Sequence, residues 1–300
     1  MNDSGAGGRG EEQVMAEAGA GWAPLPFSRL ADQSRSPDSS AADLVSGGGE
    51  GCGGHLAGLA PMDGDRIQWH RPAAWVEFGI PTALLTGDAL LALALDIVAD
   101  TGNPAAVATF SQTLQDLLHG QSADMTFEQR GTVGADEYLE MAAGKTGALT
   151  SGACAIGAIL AQATPEAVQA LHGFGRRLGV AFQCIDDVLS IWGDPTRTGK
   201  PVGTDLQARK RTLPVLATLA AGGEPARKIR HLYAGAGRLG PVQMRELADA
   251  IGHAGRRAVA ETEAQRQTEL ALNCLERKAI TSPARTALGA LSLQMTQRDR

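Results

Sequence analysis

The chain has 300 residues, of which 43% are hydrophobic and 20% charged, with a formal net charge of −6. This is long enough for one large domain with a buried core and ordinary for a globular protein. An acidic chain without a basic face or tail is not a general nucleic-acid binder, so an anionic ligand would have to be met by local cations or by metal ions.

Residues 1–54 differ from the rest. Glycine-rich strings such as Gly47-Gly48-Gly49-Glu50-Gly51-Cys52-Gly53-Gly54 alternate there with Ser and Pro. Such composition offers too little apolar surface to offset chain entropy, so disorder is expected, with a short helix near Glu11–Ala18. The start has no basic stretch followed by an apolar core, so no signal peptide is read. The most apolar run, Ala83 to Ala99, contains Gly87, Asp88 and Asp96. It is read as too short for the roughly 20 apolar residues of a spanning helix. Cys52, Cys154, Cys184 and Cys274 are far apart, with no C-x-x-C pair. The expectation is a cytoplasmic protein with free thiols, no structural zinc and no stable membrane insertion.

From about residue 70 the pattern is helical. The spacing and end signals predict helices over Thr82–Asp100, Pro104–His119 (ending at Gly120), Ala135–Gly144, Thr146–Ala163, Ala167–Leu178, Gly179–Ile191, Leu213–Ala221, Pro241–Gly252 and Ala254–Lys278. No β-branched alternating runs occur, so the expected fold class is all-α, with residues 55–300 forming one helical domain.

The chemistry concentrates in Phe182-Gln183-Cys184-Ile185-Asp186-Asp187-Val188-Leu189-Ser190, followed by Gly199-Lys200-Pro201-Val202-Gly203-Thr204-Asp205-Leu206. Adjacent carboxylates in an apolar run are costly unless paired or bound to metal. Magnesium takes oxygen ligands, keeps waters, and favours one or two carboxylates plus substrate phosphates. Lys145, Thr146, Gln183, Lys200, Asp205 and Lys210 add phosphate-capable donors and further carboxylate. Gly144-Lys145-Thr146 has the ending of a P-loop but lacks the Gly five positions earlier, where Leu139 stands, and no strand precedes it.

Together, Gly144-Lys145-Thr146-Gly147, Gln183-x-x-Asp186-Asp187, Gly193-Asp194…Gly199-Lys200-Pro201 and Arg209-Lys210-x-x-Leu213-Pro214 resemble the trans-isoprenyl diphosphate synthases, or polyprenyl synthetases. Gly120-Gln121-x-x-Asp124 and Gly87-Asp88 match in order, and the resemblance runs from about Met62 to the C-terminus. It implies an isoprenoid synthase bundle with a central cavity, in which magnesium ions hold an allylic diphosphate that condenses with isopentenyl diphosphate. By resemblance, Asp186, Asp187 and Asp63 are metal ligands, and Lys145, Thr146, Gln183 and Lys200 are catalytic. Lys145, Gln183, Lys200, Lys210 and Arg71 would bind substrate, and the protein would be a homodimer.

The sequence also departs from the family pattern. In the aligned first acidic motif the leading Asp pair is replaced by Leu59-Ala60, the paired arginines by Gln68-Trp69, and Pro61 intrudes; Asp63 and Asp65 survive. The family's usual third Asp of the second motif is Ser190, and its Lys-Arg element for isopentenyl diphosphate has no counterpart in residues 1–54. The abrupt start of the resemblance leaves divergence and an out-of-frame 5′ end as alternatives. Impaired condensation is expected, with a class I terpene cyclase or a non-catalytic partner subunit as the other readings.

Overall fold

The structure is a computed structural model that describes residues 67–68, 71–195, 202–235, 237–276 and 280–296. The expectations for residues 1–54 lie outside the described residues.

The fold is all-α. A minimal hairpin, β1 (Ile67–Gln68) with β2 (Arg71–Pro72), pairs Gln68 with Arg71 and leads into α1 (Ala74–Glu77) and α2 (Ile80–Asp100). Next come α3 (Pro104–Gln129), α4 (Ala135–Ala142), a π turn (Ala143–Gly147), α5 (Ala148–Leu160) and α6 (Pro165–Trp192). The remaining helices are α7 (Thr204–Gln207), α8 (Leu213–Ala221), α9 (Gly223–Ala234), α10 (Pro241–His253), α11 (Arg256–Leu275) and α12 (Ser282–Thr296).

Helix α6 is the axis of the bundle, packed chiefly between α5 and α11. Its start is specified locally: the Thr164 hydroxyl accepts from the Ala167 amide and Pro165 occupies the first turn. It then runs unbroken to Trp192, where two helices meeting at Gly179 had been expected. Gly179 lies mid-helix because α5 and the π turn approach there: a Cβ would come within 2.9 Å of the Gly147 nitrogen. Likewise α3 continues past Gly120 to Gln129, correcting the expected stop at His119. Its start is capped by the Asn103 side chain, which accepts from the Ala105 and Ala106 amides.

The three largest of the apolar clusters that include α6 residues build the core. Phe127, Tyr138, Met141, Val180, Val188 and Leu216 join α3, α4, α6 and α8 beneath the site. Ile191, Leu206, Val215, Ile229, Leu247 and Ile251 close the end carrying α7 to α10. Phe174, Leu178, Ala271 and Leu275 join α6 to α11. Removing a large side chain from such a site, as in Phe174→Ala, costs about 3–5 kcal/mol.

The sequence pattern does not predict α9 or α12, nor the one-turn helices α1 and α7. The highly charged α9 buries only Ala226 and Ile229, which leaves little periodic signal. Helix α2 corrects another expectation. It begins two residues earlier than expected, is 21 residues long, and its most apolar 18-residue window has a mean hydropathy of 1.8. By length and composition alone it could cross a membrane, although 11% of that window is buried. Its outer face carries Ile80, Leu84, Leu85, Leu91 and Leu95, all exposed.

Candidate functional site

Lys145 and Thr146 both sit on the π turn, where a gap at Lys145 and a helix starting at Thr146 are expected from the sequence. A π turn inserts an extra residue into the helical ladder and re-aims the side chains around it. The Lys145 ammonium meets the Asp124 carboxylate of α3 at 2.6 Å, and the Thr146 hydroxyl donates to Gln183 Oε1 of α6 at 2.6 Å. Two consecutive residues thus link the turn to the two helices on either side of it.

On α6, Gln183 and Asp187 are one turn apart and share a face, and Asp186, three positions after Gln183, lies beside them. The two aspartates have different surroundings. Asp186 is half-buried, whereas Asp187 is 2% exposed. The Tyr138 hydroxyl and the Leu213 amide donate to Asp187 Oδ2 at 2.7 and 2.8 Å, and Gln183 Nε2 donates to Oδ1 at 3.1 Å. Burial pushes the Asp187 carboxyl up to about 7, with the nearby charge of Asp205 acting in the same direction, while its three donors oppose the rise. The partner Tyr138 hydroxyl is also held well above its usual range, first by burial and then by the Asp187 charge.

Ser190, at the position of the expected third acid, is buried and donates back to the Asp187 carbonyl at 2.9 Å. After α6 the chain returns to it: the Gly203 amide donates to the Ser190 carbonyl at 2.7 Å. This places buried Asp205 near Asp187 and brings Lys210 to 3.6 Å from Asp205. Of the sequence-predicted residues, Thr146, Gln183 and Asp187 are therefore joined in one hydrogen-bonded chain, with Lys145 and Asp186 beside its two ends in sequence. Lys210 joins through Asp205. Asp63 and Lys200 lie outside the described residues, and only the backbone of Arg71 is described.

Sequence reasoning missed Asp124 and Tyr138 as members of this network. The matched Gly120-Gln121-x-x-Asp124 string carried the signal for Asp124. Tyr138, one of the two tyrosines in the chain, is fully enclosed with its polar tip on Asp187. A buried tyrosine hydroxyl needs such a partner. Trp192 packs between two apolar clusters.

No group of three or more His, Cys, Asp or Glu suited to a metal ion occurs among the described residues. A protein-only cage is therefore not formed by them. An oxygen-donor site of one or two carboxylates is nevertheless compatible with magnesium when substrate phosphates and water complete the shell, and Asp186 is the acid of the pair not enclosed by the core.

Comparison with known proteins gives consistent matches. The polyprenyl synthetase family profile matches residues 62–248. A geranylgeranyl diphosphate synthase of Mycobacterium tuberculosis is 37% identical over 287 residues, covering 87% of this chain and 82% of that protein. A (2E,6E)-farnesyl diphosphate synthase of Mycobacterium bovis is 46% identical over 171 residues, 56% of this chain; the match spans about half, 48%, of that relative's length. Among solved structures, a polyprenyl synthetase from Streptomyces coelicolor A3(2) superposes with a TM-score of 0.74 at 36% identity, covering 85% of this chain and 76% of that one. A geranylgeranyl pyrophosphate synthetase from Pyrococcus horikoshii gives 0.73 at 28% identity, covering 86% and 78%.

Proposed function

Because the chain belongs to the polyprenyl synthetase family, we propose that it is a short-chain prenyltransferase that condenses an allylic diphosphate with isopentenyl diphosphate in a magnesium-dependent reaction. The observation that carries this reading is the hydrogen-bonded chain from Thr146 of the π turn through Gln183 to Asp187, with Lys145 next to Thr146 and held by Asp124, and with Asp186 next to Asp187. Breaking the allylic C–O bond leaves negative charge on diphosphate and positive charge on the allyl group. Lys145 supplies a cation for the first, and the oxygens of Thr146 and Gln183 face the second. Asp186 would hold magnesium together with substrate phosphates, and the metal would add charge neutralisation at the leaving group. Lys200, Lys210 and Arg71 complete the proposed substrate contacts, and Asp63 is the further acid proposed for the metal.

The test is direct: purified protein, magnesium, labelled isopentenyl diphosphate and each allylic partner in turn, with products resolved by length. A longer prenyl diphosphate supports the reading, and its absence with every partner overturns it. The substitution of Leu59-Ala60 for an Asp pair and the lack of a Lys-Arg element in residues 1–54 favour a second reading, a cyclase needing only one diphosphate. Turnover of an allylic diphosphate without isopentenyl diphosphate would distinguish it.

A homodimer in the cytoplasm is part of the same proposal. The exposed apolar face of α2 supports the first, and the free thiols of Cys154, Cys184 and Cys274 fit the second.

A further inference from the structure

The acidic pair divides its labour. Asp187 already has both carboxylate oxygens engaged by protein donors: Tyr138 and Leu213 on Oδ2, Gln183 on Oδ1. Gln183 turns its NH2 inward to Asp187 Oδ1, which leaves its Oε1 at the other end of the amide. There Oε1 accepts the Thr146 hydroxyl proton at 2.6 Å. With that proton engaged, the Thr146 oxygen keeps its lone pairs, so the junction of the π turn and α6 presents two oxygens in place of N–H groups.

We infer that Tyr138 and Asp187 are a positioning pair that fixes the amide of Gln183 with its oxygen end toward the reacting carbon, and that Asp187 serves this role instead of holding metal. A preset dipole is effective because no reorganisation is needed as charge develops. The cationic character of the reacting carbon rests on the prenyl-transfer reading; the orientation of the amide does not. Tyr138 and Asp187 act through Gln183 and Thr146, so their loss alters the chemical step more than binding.

The substitution D187N tests this through the donors around it. The Tyr138 hydroxyl and the Leu213 amide both donate, so they retain the carbonyl end of the introduced amide, and its NH2 faces Gln183. Gln183 must then rotate, offering its oxygen inward and its NH2 to the reacting centre. The expected result is a kcat lower by about 10- to 100-fold, with KM for the allylic diphosphate and the half-saturating magnesium concentration within about twofold. Adding Q183E supplies a side chain that accepts at both ends, so D187N/Q183E should recover most of the lost kcat. A D187N protein with unchanged kcat, or with a tenfold higher magnesium requirement that Q183E does not relieve, overturns the inference.

Two further measurements do not use turnover. The side-chain amide resonance of Gln183 in 15N-labelled protein should shift on D187N, and magnesium-dependent binding of a non-hydrolysable allylic diphosphate should be retained. A stationary resonance or abolished binding overturns the inference. If D187N does not fold, Y138F decides: a kcat reduced by several-fold at unchanged magnesium requirement supports the pair, and an unchanged kcat overturns it. A wild-type protein inactive with every allylic partner would remove the prenyl-transfer reading, while the resonance and binding measurements would still separate positioning from metal ligation.

Discussion

Gly120 of α3 and Lys145 of the π turn meet backbone to backbone: a Cβ on Gly120 would lie 2.8 Å from the Lys145 Cα and 2.5 Å from the Gly144 carbonyl carbon. Neither obstacle is a flexible side chain, so the collision can be relieved only by moving a helix or the turn. Since Lys145 and Thr146 are aimed by that turn, G120A should affect both stability and site geometry. The expected destabilisation is ~1–3 kcal/mol, typical of overpacking, seen as a melting temperature several degrees lower. Binding of a non-hydrolysable allylic diphosphate should weaken in parallel. An unchanged melt and unchanged binding would show that the two backbones are less closely coupled than this contact requires.

The two aspartates of the pair should separate by the kind of defect they cause. D186A removes a half-buried acid outside the core and should lower metal-dependent turnover by orders of magnitude, with little change in melting temperature. D187A strips the acceptor from the buried Tyr138 hydroxyl and Leu213 amide. Each unsatisfied buried donor costs about 1–3 kcal/mol, so the D187A melt should fall clearly. Thermal melts beside steady-state assays check both, and equal melts for the two variants would contradict the enclosed position of Asp187.

Alkaline pH should expose the desolvation of the half-buried Cys154. Desolvation pushes its thiol from the usual value up to about 11, so the folded state holds the proton more tightly than the unfolded chain. The stabilising contribution is complete below the unfolded pKa near 9.0 and is lost as pH rises through about 11. C154A should therefore show a shallower loss of stability than wild type between these values, a difference of ~1–3 kcal/mol across the window. Denaturant melts at a series of pH values measure it, and parallel curves for the two proteins would refute it.

The site was legible where its chemistry is written contiguously, as in Lys145-Thr146 and Gln183-x-x-Asp186-Asp187. It was not legible where the fold brings in distant partners. Tyr138 is 49 positions from Asp187, and the second donor to the same oxygen is a backbone amide that any residue at 213 except proline would supply. The π turn was legible only as a break between two helices near Gly144, because its two glycines, Gly144 and Gly147, lower helix propensity as the end of a helix does. Gly120 and Gly179 were read as ends because glycine lowers intrinsic helix propensity. Both are interior because close approach between helices outweighs that preference. Helix α9 escaped notice for the opposite reason: its periodic apolar face is only two buried residues wide.

The remaining prediction concerns the outer face of α2. Ile80, Leu84, Leu91 and Leu95 recur at helical spacing and form one stripe, and each is 40–49% exposed. A stripe of large apolar side chains on a peripheral helix is the kind of surface that marks an interaction site. A second copy of the chain is the occupant proposed for it. Replacing Leu84, Leu91 and Leu95 together by Lys places three like charges on the stripe of each copy and removes its apolar area, so association should fail while the core, which these side chains do not enter, keeps its stability. Light scattering after size exclusion should give a dimer mass for the wild type and a monomer mass for L84K/L91K/L95K, with similar melting behaviour once concentration dependence is removed. A triple variant that remains dimeric would place the interface elsewhere, and a monomeric wild type would dismiss it altogether.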